Sequence, residues 1–200
     1  MLAIEGSLRA SGISSIAGVD EAGRGSCAGP LVVAALILKD PDSPILLRVR
    51  DSKAIGERER EELFDLVLNE AHSYSIIEIS PEEIDRLGLH KSNLEGMRRA
   101  VNLLDVAPDY VLTDGYAISG MAAPTLAVWK GDQVAISISA ASILAKVYRD
   151  RIMREMDLKY PGYGFARHKG YITAAHSAAL LDLGVTEIHR KSFANIAALC

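Results

Sequence analysis

Cysteine is scarce in this sequence: Cys27 and Cys200 are the only two in 200 residues. That excludes a disulfide scaffold and makes a reduced, cytoplasmic setting the expectation. Long apolar runs are missing too. The longest, Leu31 to Leu38, is stopped by Lys39 and Asp40 well short of membrane-spanning length, so no membrane association is expected. No basic stretch followed by an apolar core opens the chain, which argues against a secretory signal. Nor is there convincing zinc spacing. His168, His176 and His189 are spaced irregularly with no cysteine in support, and His72 and His90 read as surface residues. A net positive charge is also lacking. The formal balance is −4, which taken alone argues against a nucleic-acid binder. Its distribution points the other way. Residues 1–129 carry 12 Lys+Arg against 20 Asp+Glu, whereas residues 130–200 carry 10 against 6. This fits ordinary segmental variation, and equally a basic C-terminal surface beside an acidic, metal-binding site.

What is present is an ordinary globular composition, 49% hydrophobic and 24% charged. The length suits one domain with a full core: a main body over 1–158 and a small helical appendage over 159–200. No internal repeat or low-complexity tract interrupts a mixture of strand and helix patterns. Strands are predicted at 16–20, 31–38, 74–79, 110–113 and 126–129. Helices are predicted at 57–70, with Leu63, Leu66 and Val67 on one face, at 92–104 and at 139–158. Ser80-Pro81-Glu82-Glu83 reads as a helix start, and Thr173 and Gly184 bracket a last helix. The alternation gives an α/β domain with a mixed sheet.

Several short motifs carry chemistry. Asp20-Glu21-Ala22-Gly23-Arg24-Gly25 places two acids at the end of an apolar strand. Strand neighbours point to opposite faces, so both can serve one site only if the strand ends or bulges there. The glycines that follow permit this, and their N–H groups can form a nest for a phosphate or sugar oxygen. Taken alone, the segment is also a plausible charged, glycine-rich loop. It is not a dinucleotide-binding turn, because Pro30 and Leu31-Val32-Val33 follow where a helix is required. Asp114-Gly115 ends another apolar strand, as an active-site acid or as a common turn. Asp132, in Lys130-Gly131-Asp132, either enters the same site or closes a turn. Ala140, Ala141 and Ala145 read as helix-to-sheet packing. In the stretch from Tyr160 to Tyr171, aromatics interleave with cations: Phe165 reads as core and Tyr171 as a substrate contact.

Together with Asp51-Ser52-Lys53, Tyr163-Gly164-Phe165, His168-Lys169-Gly170-Tyr171 and Arg190 with Ser192-Phe193, these motifs stand in an order that resembles ribonuclease HII over residues 16–193. The chain departs from the usual pattern at Ala54 and at Ser26-Cys27. The resemblance implies a ribonuclease H-like fold: a mixed five-stranded sheet flanked by helices, with a small C-terminal helical extension. It implies a site of four carboxylates, Asp20, Glu21, Asp114 and Asp132, as catalytic groups and ligands of Mg²⁺ or Mn²⁺. Gly23-Arg24-Gly25 would sense a ribose 2′-OH, and Tyr171 would stack on the next sugar. Lys53, Lys146, Arg149, Lys169 and Arg190 would meet phosphates. The expected partners are RNA–DNA hybrids and DNA duplexes with embedded ribonucleotides, bound by a monomer.

The implied reaction is cleavage on the 5′ side of a ribonucleotide, leaving a 3′-hydroxyl and a 5′-phosphate. Two metal ions about 4 Å apart suit such an in-line displacement. Three rivals stand beside it. Ribonuclease HIII is disfavoured by the short stretch before the first strand. A non-catalytic duplex binder would gain nothing from four repelling acids. A metallohydrolase acting on other substrates would have no use for the Gly-Arg-Gly turn.

Overall fold

The computed structural model describes residues 3–51 and 56–200, so Ser52 and Lys53 of the Asp-Ser-Lys motif lie outside the described residues. In chain order the elements are α1 (Ala3–Ala10), β1 (Ile16–Ala22), β2 (Leu31–Leu38), a 3₁₀ turn (Pro44–Asp51), α2 (Glu57–Glu70), β3 (Ala71–Ile79), α3 (Pro81–Leu87), α4 (Leu89–Asn102), β4 (Tyr110–Asp114) and β5 (Thr125–Val128). They continue with α5 (Gly131–Val134), α6 (Ile136–Lys159), α7 (Phe165–His168), α8 (Ala174–Leu183) and α9 (Ala194–Ala197). The strands form one mixed sheet in the order β3-β2-β1-β4-β5. β1 runs antiparallel to β2 and parallel to β4.

Every residue of β2 is buried, because its uninterrupted apolar run has a core on each face. Val32, Ala34, Leu36 and Leu38 pack with α2 and α6 on one side. Leu31, Val33, Ala35 and Ile37 pack with α4 on the other. The small residues of α6 serve the packing expected of them. Ala140, Ala141 and Ala145 are fully buried, and a Cβ on Gly18 of β1 would lie 2.1 Å from the Ser137 carbonyl carbon. The helix and strand backbones nearly touch there.

The chain after α6 builds its own apolar cluster. Tyr163, Phe165, Leu180 and Ile196 pack on Met153 of α6 and on Cys27 and Ala28 of the β1–β2 loop. Backbone bonds from the Cys27 amide to the Gly170 carbonyl, and from the Arg190 amide to the Cys27 carbonyl, tie that loop to the extension. His168, His176 and His189 meet here. The first two rings stack at 4.4 Å between centroids, and the Nε2 atoms of His176 and His189 are 3.1 Å apart, so one donates to the other. Among the described residues, no helix is long and apolar enough to cross a membrane.

Candidate active site

β1 neither ends nor bulges at Asp20 and Glu21, contrary to the sequence expectation. Its pairing with β2 stays regular to Ala22↔Val32. The opening comes from the other neighbour. The β1–β4 ladder stops at Val19↔Thr113, so Asp20 and Asp114 are the first residues beyond it on adjacent parallel strands. β4 then turns to β5 alone, pairing Asp114 with Val128. Asp114 Oδ1 accepts the Gly131 amide at 2.7 Å, which fixes the turn that carries Asp132 into α5. Asp20 and Asp132 are both buried.

The electrostatics mark a strained cluster. Burial, then the neighbouring charges of Glu21 and Asp114, hold the Asp20 carboxyl well above the usual carboxylate range, against hydrogen bonds from Ser142 and the Glu21 amide. Glu21 is pushed up to about 7, first by burial and also by Asp114, with Arg24 and Asn93 opposing. Its Oε2 is buried without a hydrogen-bond partner. Asp20, Glu21 and Asp114 thus feel one another's charge, and Asp132 adjoins them through Gly131. Among the described residues, no three His, Cys, Asp or Glu side chains close into a ready-made metal cage.

A pocket opens beside the carboxylates, lined by Glu21, the Gly23-Arg24-Gly25 turn, Arg60, Ser142, Lys146, Arg149 and Tyr171. Gly23 has φ +84°, and a Cβ there would fall 1.8 Å from Arg149 Nε, so the arginine passes directly beneath the turn. Gly25 faces the ring of the half-exposed Tyr171. The Arg24 guanidinium lies 4.7 Å from the centre of the Tyr116 ring.

The basic residues expected at phosphates divide. Lys146 pairs with Asp150 on α6 while lining the pocket. Arg149 and Arg190 are instead buried, and their guanidiniums brace backbone carbonyls. Arg149 donates to the Pro30, Lys169 and Ala28 carbonyls, and Arg190 to the Gly29 and Arg24 carbonyls. A buried guanidinium needs such acceptors, and the irregular β1–β2 loop has carbonyls to supply. Lys169, on a left-handed residue at φ 52°, is largely spent as well: its ammonium donates to the Ala166 carbonyl and to Glu57.

Sequence reasoning did not single out Ser142, Arg60, Asn93 or Tyr116. Ser142 sat within a small-residue run that carried a clear packing signal. Arg60 was one charge in a charged helix. Asn93 and Tyr116 reach the site only through the packing of α4 and the β4–β5 loop.

The family model for ribonuclease HII matches residues 17–196. The ribonuclease HII of a Nocardioides species is 55% identical over 192 residues, covering 96% of this chain and 80% of that one. That of Rhodococcus opacus is 54% identical over 196 residues, covering 98% and 87%. Among solved structures, the ribonuclease H2 from Pyrococcus horikoshii superimposes with a TM-score of 0.81 at 27% identity, covering 92% of this chain and 96% of that one. A carboxylate cluster at the open end of a mixed five-stranded sheet, and these matches along nearly the whole chain, place it in the ribonuclease HII family of nucleases.

Proposed function

We propose that this protein is a metal-dependent endonuclease that cuts on the 5′ side of a ribonucleotide, in RNA–DNA hybrids and in DNA duplexes with embedded ribonucleotides. The products would be a 3′-hydroxyl and a 5′-phosphate. The observation that carries this reading is the position of Asp20 and Asp114 at the open end of the β1–β4 ladder, beside the Gly-Arg-Gly turn.

The residues fit Mg²⁺ or Mn²⁺. The donors are all carboxylate oxygens, which suit hard cations. Glu21 Oε2 is buried and unpartnered, and burial and neighbouring carboxylate charge raise the Asp20 and Glu21 carboxyls, a penalty that a cation would relieve. Asp20, Glu21, Asp114 and Asp132 would hold the ions, with Asp20 central. The chemistry that a pair of ions supplies is activation of the attacking water and stabilisation of the departing oxygen.

The chain's own groups select and orient the strand. The backbone of Gly23, Arg24 and Gly25 reads the 2′-OH, the group that separates RNA from DNA at one sugar. Backbone contacts read no base, so little sequence preference follows. Tyr171 stacks on the adjoining sugar, and Lys146 meets a phosphate. Arg149 and Arg190 act through the loop they brace. Binding falls with salt as phosphate contacts are screened.

The test is a labelled DNA duplex with one ribonucleotide, in Mg²⁺ or Mn²⁺, beside an all-DNA control and an Asp20→Asn variant. One cut 5′ of the ribonucleotide, lost with the variant and with chelator, is the expected result. Binding without cleavage of either this duplex or a long hybrid would replace the enzyme with a duplex-binding module.

A further inference from the structure

Trp129 is the only tryptophan in the chain, and it is 82% exposed. The strand before it ends on the buried Val128, and Trp129 and Lys130 form the turn into α5. That turn is stiff. Lys130 is left-handed, at φ 52° and ψ 47°. The next residue, Gly131, donates to Asp114 and is packed so closely that a Cβ would lie 2.5 Å from Ile138 Cδ1. A large apolar ring is therefore held in water by a rigid turn anchored to one site carboxylate and leading into another. Tyr171 stands on the other flank, beside the turn that follows β1. β4 separates β1 from β5, two strand spacings or about 10 Å. Trp129 and Tyr171, both exposed, are thus carried by segments that lie on either side of β4 in the strand order.

We propose that Trp129 and Lys130 form a second contact for the nucleic-acid substrate, on the side of the carboxylates away from Tyr171. The indole face packs on a sugar or base of the strand being cut, and the Lys130 ammonium meets a neighbouring phosphate. This rests on the nuclease reading above. The chemistry of the pair favours that occupant: a π-face accepts any base or sugar, and an adjacent cation matches a polyanion. The turn that carries the pair is also tied to the site, through the Gly131–Asp114 hydrogen bond. Held at both flanks, the strand is kept extended over the carboxylates, so nucleotides on each side of the cut contribute to its placement.

A single tryptophan makes the test direct, because intrinsic emission reports this residue alone. The Asp20→Asn chain is titrated with a ribonucleotide-containing duplex that bears a dye at one end, in Mg²⁺. Dye anisotropy follows binding, while tryptophan emission and its quenching by iodide follow Trp129. Emission should change and iodide access should fall at the duplex concentration where anisotropy rises. Trp129→Ala should weaken binding on the order of tenfold, with part regained by Trp129→Phe. Lys130→Ala should lower the salt slope by about one. Full binding by anisotropy, with emission and iodide access unchanged, would overturn the inference and leave the nuclease reading standing. Iodide protection that appears without duplex, and grows with protein concentration, would assign the indole to a second copy instead. No anisotropy change at all would count against the nuclease reading itself.

Discussion

Glu5 of the first helix closes the start of α6 at Ser137, far along the chain. Its Oε1 accepts both the Ser137 amide, at 3.0 Å, and the Ser137 hydroxyl, at 2.6 Å, while Oε2 accepts the Ile136 amide at 3.0 Å. The carboxylate is almost fully buried. A helix start leaves amides unpaired and carries partial positive charge, so an anion there serves twice. The anchored helix carries Ser142, Lys146 and Arg149 to the site. Glu5→Ala should cost about 2–4 kcal/mol in urea unfolding, since it strands buried donors. Wild-type stability in that variant would show that α1 does not anchor α6.

The raised Glu21 carboxyl gives the metal-free protein an unusual pH response. Between the ordinary value of 4.5 and the folded value of about 7, the folded chain keeps a proton that the unfolded chain has released. Stability contributed by this group is therefore present at low pH and is lost as pH rises through 7. The loss by pH 8 is on the order of 3 kcal/mol. Melting in chelator from pH 5 to 8 should show a steeper fall for the native chain than for Glu21→Gln, and Mg²⁺ should offset it. Identical pH slopes for the two chains would refute the assignment.

How much of this was legible in the sequence depends on whether the signal is local. The β2 run, the Ser80 cap, which accepts the Glu83 amide at 3.1 Å, and the α8 bracket from Thr173 to Gly184 are local patterns, and all three formed. α6 starts three residues before the position its sequence pattern predicts, because its cap comes from Glu5, and α1 has no comparable local signal. Arg149 and Arg190 look in sequence like any surface cation. Their burial depends on carbonyls of the β1–β2 loop that only the tertiary fold brings within reach. The three histidines have no metal spacing, yet the packing of the extension gathers them around Phe165.

That histidine group should make the extension acid-sensitive. Burial first, then the charge of His176, pushes His189 down to about 4, and burial also lowers His176. His189 therefore stays neutral in the fold down to about 4, while unfolded histidine takes up a proton near 6.5. The stability that His189 contributes is thus full above 6.5 and is lost as pH falls toward 4, and His176 acts in the same direction. His189→Asn keeps a polar partner for His176 but cannot be protonated. It should melt with a flatter pH dependence over that window, and an unchanged slope would rule out His189 as the group responsible.

The two glycines of the Gly-Arg-Gly turn should separate folding from recognition. Gly23 is left-handed, and any side chain there collides with the buried Arg149, at 1.8 Å from its Nε. Gly23→Ala combines backbone strain with overpacking and should cost about 2–5 kcal/mol, seen as a lower urea midpoint. Gly25 has no positive φ, and its added methyl would meet only the Tyr171 ring, at an ordinary 3.5 Å. Gly25→Ala should therefore leave stability within about 0.5 kcal/mol of the native chain. The methyl would nevertheless project from the turn proposed to read the 2′-OH toward the ring proposed to stack on the adjoining sugar. Displacing the sugar by this much should slow cleavage at a single ribonucleotide on the order of tenfold to a hundredfold. If Gly25→Ala cuts at the native rate, the sugars do not lie against Gly25, and the 2′-OH must be read elsewhere in the pocket.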